Sequence, residues 1–303
     1  MTTTGQLIDV GGHRLRLSNL GKALYPESGF TKGEVIDYYV RAAPVLLPHI
    51  QDRPLTLKRY PDGVDGKSFF EKNVSNHAPD WVRTVSIETP ESTRGRASAD
   101  FALVQDLSTL VWAANLASIE LHVPQWTVGP RGGKRNPDLL VFDLDPGAPA
   151  TIVDCCEVAL WLRTELANDG LTAYPKTSGS KGLQLYTPIR ARSGERPINY
   201  AKRLAEKLER EHPRRVVSRM TKKLRGGKVL IDWSQNNPKK TTVAPYSLRA
   251  RSSPTVSTPV TWQEVEDCVD PSELRFVAGT VLDRVDEHGD LFEPLLTQDR
   301  PPL

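Results

Sequence analysis

Residues 139–147, L-L-V-F-D-L-D-P-G, leave this chain few ways to fold. The apolar run 139–144 reads as a short strand, stopped by the turn signal Asp145-Pro146-Gly147. Side chains alternate along a strand, so Asp143 and Asp145 share one face while Phe142 and Leu144 take the other. The second face needs a core. The first cannot enter one, because two adjacent carboxylates repel each other unless a cation sits between them or one takes a proton. Oxygen ligands of this kind suit magnesium or manganese. A second apolar strand, read over 229–233 in V-L-I-D-W-S-Q, delivers Asp232 in the same manner. Three aspartates can hold two ions about 3.5–4 Å apart, the arrangement for in-line phosphoryl displacement. Alone, Asp-Pro-Gly is simply a turn, and the metal reading rests on what surrounds it.

The surroundings mix helices and strands without strict alternation. From Thr31, the capping box T-K-G-E opens an amphipathic helix through Ile36, Tyr39, Val40 and Ala43. Residues 55–60 read as a strand, 107–120 as a mostly apolar buried helix, and 151–168 as an amphipathic helix with Gly170 near its end. Residues 183–186 form a strand halted by Pro188, and 198–211 a charged helix. Residues 88–100 and 129–137 are expected as exposed loops, of a length that is often functional. The pattern predicts an α+β fold rather than a doubly wound parallel sheet. With 303 residues and no repeat or linker, it is expected to form one domain over 1–303, with a core over about 12–294.

Charge is distributed unevenly. Residues 176–251 carry 20 of the 40 Lys/Arg but 5 of the 37 Asp/Glu, whereas 252–303 carry 11 acidic and 3 basic residues. An acidic C-terminal segment packed on a basic middle suits a chain that presents one face to a polyanion while its net charge stays at +3. No apolar run approaches the roughly 18 residues of a membrane span, and MTTTGQLIDVGGH lacks the form of a secretory signal. Cys155, Cys156 and Cys268 have no metal-binding spacing, so a reducing, cytoplasmic setting is expected.

Several segments offer groups for phosphate. P-K-T-S-G-S-K-G places Ser178, Lys181 and two glycines in a tight connection before a strand, where backbone N–H groups can form an anion nest. No Walker A pattern is present. His122, in E-L-H-V-P, reads as a phosphate donor or a satisfied core histidine. Arg225 and Arg249 flank the Asp232 strand with guanidinium groups that match phosphate oxygens. Phe69 and Phe70, bracketed by Lys67 and Lys72, read either as core or as a platform for an unpaired base.

Together, VFDLDPG, KTSGSKGLQLY, IDWSQNNPKKTTVAPYSLRAR and LSNLGKALYPESGFTKGEVIDYY closely resemble the polymerase domain of bacterial ligase D, within the archaeo-eukaryotic primase-polymerase superfamily. The resemblance implies a primase-type core, an antiparallel-rich sheet flanked by helices with an N-terminal α/β portion. It implies that Asp143, Asp145 and Asp232 bind two divalent ions, manganese favoured over magnesium. His122, Ser178, Lys181, Arg225, Gln235 and Arg249 then surround an incoming NTP or dNTP. By the same resemblance Asn19, Lys22 and Lys32 grip a DNA 5′-phosphate, Lys58 and Arg59 contact the strand, and Phe69 and Phe70 stack on template bases. The implied activity is template-dependent extension at gapped or broken duplex DNA, with ribonucleotides preferred, in non-homologous end joining. The implied partners are Ku and a DNA ligase, for a monomeric, nucleoid-associated bacterial enzyme. Two loops, 88–100 and 126–139, differ in length from the family pattern, which bears on the holding together of two DNA ends. A stand-alone gap-filling primase-polymerase and a non-catalytic DNA-end binder are the competing readings.

Overall fold

The computed structural model describes residues 5–74, 78–89 and 97–303. Its architecture is α+β, with antiparallel-rich sheets flanked by helices. The first sheet has five strands in the order Tyr174–Thr177, Leu183–Pro188, Leu139–Pro146, Val229–Asp232, Val216–Val217. Only the last pair runs parallel. The aspartate strand lies at the centre and continues past the expected stop, because Asp145 and Pro146 pair with Leu230 and Val229. The neighbouring strand ends at Asp232, and Trp233 begins a 3-10 turn, Trp233–Asn236.

Register determines which residues meet. Leu183, Leu144 and Ile231 lie side by side across three strands. With Phe142 and Leu185 they are fully buried in a core shared with the Ile152–Asn168 and Glu195–Glu211 helices. The opposite face carries the row Lys176, Gln184, Asp143 and Asp232, each directly across from the next. Farther along that face, Val141 and Tyr186 are covered by Phe292 and Leu295 of the acidic C-terminal segment. The aspartate end faces a cavity.

The covering helices follow their signals. Thr151 and Asp154 form a reciprocal capping box before Ile152, and Gly170 adopts φ +72° just past the last turn. The charged helix starts at Glu195, earlier than expected, with Pro197 in the first turn where no N–H is missed.

A second sheet, ordered Thr242–Val243, Ser118–Val123, Thr56–Arg59, Phe69–Glu71, packs with the Lys32–Ile50 and Leu107–Asn115 helices in another core. Thr31 caps the first of these helices with Glu34 as read from the sequence, and the helix then continues through Pro44 and Pro48. The helix expected over 107–120 ends at Asn115 instead. Ala117 turns the chain with φ +56°, and S-I-E-L-H-V becomes a strand paired with Thr56–Arg59. Its two-residue alternation and its Ile and Val favour the pleat over the helix.

The ends of the expected 88–100 loop belong to a hairpin of Thr84–Glu88 with Ser98–Ala102, and residues 90–96 lie outside the described residues. The 129–137 loop is a turn closed by Gly129 N–H on the Gly133 carbonyl at 2.8 Å. The three cysteines are free and buried. Among the described residues no helix is long and apolar enough to cross a membrane.

Candidate active site

Two glycines let other segments close on the end of the aspartate strand. A Cβ on Gly182 would lie 2.0 Å from the Leu144 carbonyl oxygen, and one on Gly147 would lie 2.0 Å from that of Arg225. The 178–182 loop and the turn carrying Arg225 therefore approach the strand as no larger residue would allow.

Asp143 Oδ1 accepts a hydrogen bond from Gln184 Nε2 at 2.9 Å. Burial raises its pKa to about 7, aided by the charges of Asp145 and Asp232 and opposed by Gln184 and Lys176. Burial and Asp232 also raise Asp145, against Arg225 and Arg249. Asp232 is held differently. Its Oδ1 accepts from Ser234 N–H at 3.0 Å and its Oδ2 from Gln235 Nε2 at 3.1 Å, so it caps the turn that follows. Among the described residues no three Asp, Glu, His or Cys side chains form a ready-made ion cage. The donor set still fits a divalent cation. Asp143 and Asp145 offer hard oxygens with unneutralised charge, and Asp232 lies across from Asp143 within reach of a side-chain turn.

Asp143 and Asp145 line a cavity of about 400 Å³ together with Ser178, Lys181, Arg225 and Arg249. Pro146, Ser180, Gln184 and Arg251 complete the wall, and none of these four was picked out from the sequence as a site residue. Ser178 has a more specific role than a nest hydroxyl. Its Oγ accepts the N–H groups of Ser180 at 3.2 Å and Gly182 at 3.1 Å, so it shapes the loop and takes up two donors expected to face an anion. Arg249 Nη1 donates to the Ser178 carbonyl at 2.7 Å. Arg225 Nη2 donates to the Met220 carbonyl at 2.7 Å, while its Nε is buried with no hydrogen-bond partner among the described residues. Such an orphaned donor is costly without a ligand.

His122 and Gln235 are not in that wall. Gln235 lies on Asp232, and His122 Nε2 is 2.9 Å from Glu120 Oε2. Glu120 is the residue that sequence reasoning missed. It is 2% exposed, and its Oε1 lies 3.5 Å from Arg249 Nε and 3.6 Å from Lys58 Nζ. Tyr60 Oη and Ala250 N–H donate to the same oxygen at 3.3 and 3.2 Å. Burial alone would raise its pKa. The His122 hydrogen bond and the charges of Arg249, His122 and Lys58 prevail and hold it well below the ordinary carboxylate range. Burial in turn lowers His122, against the pull of Glu120. The signal for Glu120 was E-L-H itself, since a strand places Glu120 and His122 on one face.

Phe69 and Phe70 are 41% and 51% exposed. They lie on the edge strand of the second sheet, where Phe70 pairs with Lys58 and Phe69 with Arg59. Lys58 Nζ is 5.5 Å from the Phe70 ring centre, and the Arg59 guanidinium is 5.3 Å from that of Phe69. Phe70 also meets His122 edge to face at 5.7 Å. Arg59 is anchored by the Leu116 carbonyl and Glu71, each at 2.8 Å.

Asn19, Lys22 and Lys32 converge at the start of the N-terminal helix. Asn19 adopts φ +54°, its carbonyl accepts Lys22 N–H, and the Lys22 carbonyl accepts Lys32 N–H. Lys22 pairs with Asp62 at 3.1 Å. Lys32 is 6% exposed and donates to the Ser18 carbonyl at 2.7 Å. Burial, then Arg59 and Lys22, lower its pKa to about 8.

Paired aspartates on a largely antiparallel sheet, beside a cavity walled by the 178–182 loop and by Arg225 and Arg249, fit a nucleotidyltransferase of the primase-polymerase class. The family model described as "LigD, primase-polymerase domain" matches residues 31–292, and the chain belongs to that family. It is 46% identical over 284 residues to the multifunctional non-homologous end joining protein LigD of Mycolicibacterium smegmatis, covering 93% of this chain and 36% of the relative. With the Mycobacterium tuberculosis H37Rv protein the identity is 44% over 288 residues, covering 93% and 37%. With the bifunctional LigD of Bacillus subtilis it is 32% over 278, covering 91% and 43%. The chain thus spans little more than a third of the mycobacterial relatives. The polymerase domain of M. tuberculosis ligase D, solved in complex with DNA, superposes with a TM-score of 0.88 at 43% identity, over 94% of this chain and 99% of that one.

Proposed function

We propose that the chain is one LigD-like polymerase domain that extends a primer opposite a template at gapped or broken duplex DNA, in the joining of broken ends. The observation that carries this reading is the row Asp143–Asp232 beside a cavity whose other wall is cationic. Family membership and the DNA-bound polymerase domain with the same fold support it. Asp143, Asp145 and Asp232 would hold two divalent ions, manganese favoured, after Asp232 turns from Ser234. Such ions lower the pKa of an attacking hydroxyl and offset charge on the leaving group. Arg225, Arg249, Ser178 and Lys181 bind the triphosphate of an NTP in preference to a dNTP, with Gln235 joining once Asp232 releases it. Arg225 Nε finds its partner there, and His122 is positioned beside them by Glu120. Phe69 and Phe70 stack on template bases while Lys58 and Arg59 hold the strand. Ku and a ligase are the partners this role requires.

Nucleotide incorporation with manganese on a short gapped duplex, with and without a downstream 5′-phosphate, tests the reading. Extension stimulated by the phosphate is expected. No extension of any primer, while a control polymerase works, would sink it.

Asn19, Lys22 and Lys32 grip the 5′-phosphate, and the lowered pKa of Lys32 gives this a pH signature. Below pH 8, down to about pH 7 where the phosphate itself begins to take up its second proton, the ammonium is charged in free protein and affinity for a 5′-phosphorylated gap is expected to be flat. As pH rises through 8 that charge is lost before binding, and affinity should fall about tenfold per pH unit, the linkage of one proton taken up. Fluorescence anisotropy with a 5′-hydroxyl gap as control checks this. An equal decline for both ends would remove Lys32 from the pocket.

A further inference from the structure

Lys176 is fully buried, 0% exposed, and burial, then the charge of Arg249, holds its pKa well below that of a free lysine against the pull of Asp143. Burying a polar amine is costly unless its donors are used. Here Nζ donates to Gln184 Oε1 at 2.6 Å and to Ser257 Oγ, and it lies 5.3 Å from the Tyr186 ring centre. Ser257 Oγ in turn donates a hydrogen bond to the Thr177 carbonyl at 2.9 Å. No part of the proposed chemistry uses this lysine directly.

Its effect is on the orientation of an amide. The oxygen and nitrogen of a glutamine side chain are nearly isosteric, and their assignment depends on their partners. Ser257 Oγ has its own hydrogen committed to the Thr177 carbonyl and so accepts from Nζ, and a further Nζ hydrogen is directed at Gln184 Oε1 whether or not the amine is charged. Gln184 Nε2 is then directed at Asp143 Oδ1, 2.9 Å away. The three residues sit opposite one another on adjacent strands, so the β ladder holds the chain of contacts in line. A reversed amide would present an oxygen to the carboxylate and repel it.

We infer that Lys176, acting through Gln184, is a positioning residue for Asp143: it fixes one carboxylate oxygen and leaves the other presented to a divalent cation. This rests on the reading of Asp143 as an ion-holding residue. Partners behind a metal-holding side chain commonly tune affinity 10–100-fold.

The test is Mn²⁺ binding to the DNA-free protein, read by calorimetry, with Lys176→Met, Gln184→Met and the double variant. Each single variant is expected to bind Mn²⁺ about 10–100-fold more weakly. The double variant should be no weaker than Gln184→Met, because Lys176 acts only through that amide. The melting temperature of Lys176→Met is expected to fall modestly, because Met leaves Gln184 Oε1 and Ser257 Oγ without their buried donor. Mn²⁺ binding is therefore read well below the melting temperature of every variant. Unchanged or tighter Mn²⁺ binding in Lys176→Met would overturn the inference, the latter by showing that the lysine acts only as a repelling charge. Additive losses in the double variant would overturn it as well. Asp143→Asn is the control for the underlying reading. If it binds Mn²⁺ as well as the unaltered protein, Asp143 is not an ion ligand, and the failure lies there rather than with Lys176.

Discussion

Asp143→Asn is expected to abolish primer extension, by about 10³-fold or more, while DNA binding stays largely intact and the metal-free protein becomes more stable above neutral pH. The first effect follows from removing a carboxylate proposed to hold the cation that offsets developing phosphate charge, where a loss of about 4 kcal/mol corresponds to that factor. The second follows from the proposed strand contacts, since Phe69, Phe70, Lys58 and Arg59 lie on the other sheet. The third follows from the pKa. Burial, Asp145 and Asp232 raise Asp143 from 3.8 in the unfolded chain to about 7 in the fold. A raised carboxylate favours folding below its unfolded pKa, and that contribution is lost as pH rises through the folded value. With a chelator, the melting temperature of Asp143→Asn should therefore match the unaltered protein near pH 4 and exceed it increasingly up to pH 7–8. Manganese should close the gap by stabilising only the protein that retains the aspartate. Equal loss of DNA affinity and activity would count against an ion-holding role for Asp143.

Glu120→Ala should be the more damaging change to the fold. It removes the carboxylate shared by Arg249, Lys58 and His122 and leaves cations near one another with no counter-charge. Breaking a buried ion pair in this way costs about 3–5 kcal/mol, which denaturant unfolding would register. Glu120→Gln keeps the shape and the Ala250 N–H acceptor but not the charge. It should stay folded and bind nucleoside triphosphate with altered pH dependence, because His122, already lowered by burial, loses the charge that holds its proton. A melting temperature for Glu120→Ala equal to that of the unaltered protein would show that these contacts contribute little.

Much of the first sheet could be read from residues because its signals are local. L-L-V-F-D-L-D is an apolar run that ends in an alternating Asp-Leu-Asp, and the strand carrying Asp232 is an apolar run ended by its aspartate. The family fold expected from four motifs is the fold observed. What escaped detection was non-local or masked by a competing period. W-A-A-N-L-A-S-I-E contains enough Ala and Leu to prolong a helix, and counting it so concealed the pleat that places Glu120 beside His122. Strand spacing put Asp143 and Asp145 on one face, but only register across two strands brings Asp232 opposite Asp143. Nothing local announces that Asp232 caps its own turn, or that Ser178 uses its hydroxyl to hold the loop. Those outcomes depend on which donors come within reach once the chain has closed.

The contact between Arg249 and the Ser178 carbonyl joins residues 71 apart in the chain, and that between Ala250 and Glu120 joins residues 130 apart. Contacts of such separation pay their loop-closure entropy before they return any stability, which slows their formation. The pairings that complete the two sheets, Asp143 with Asp232 and Val123 with Thr242, are of the same long-range kind. In a chain growing from the ribosome, Arg225 is made before Asp232, and Arg249 and Ala250 emerge after it. A partly made protein would then carry all three aspartates before the contacts that join Arg249 to Ser178 and Ala250 to Glu120.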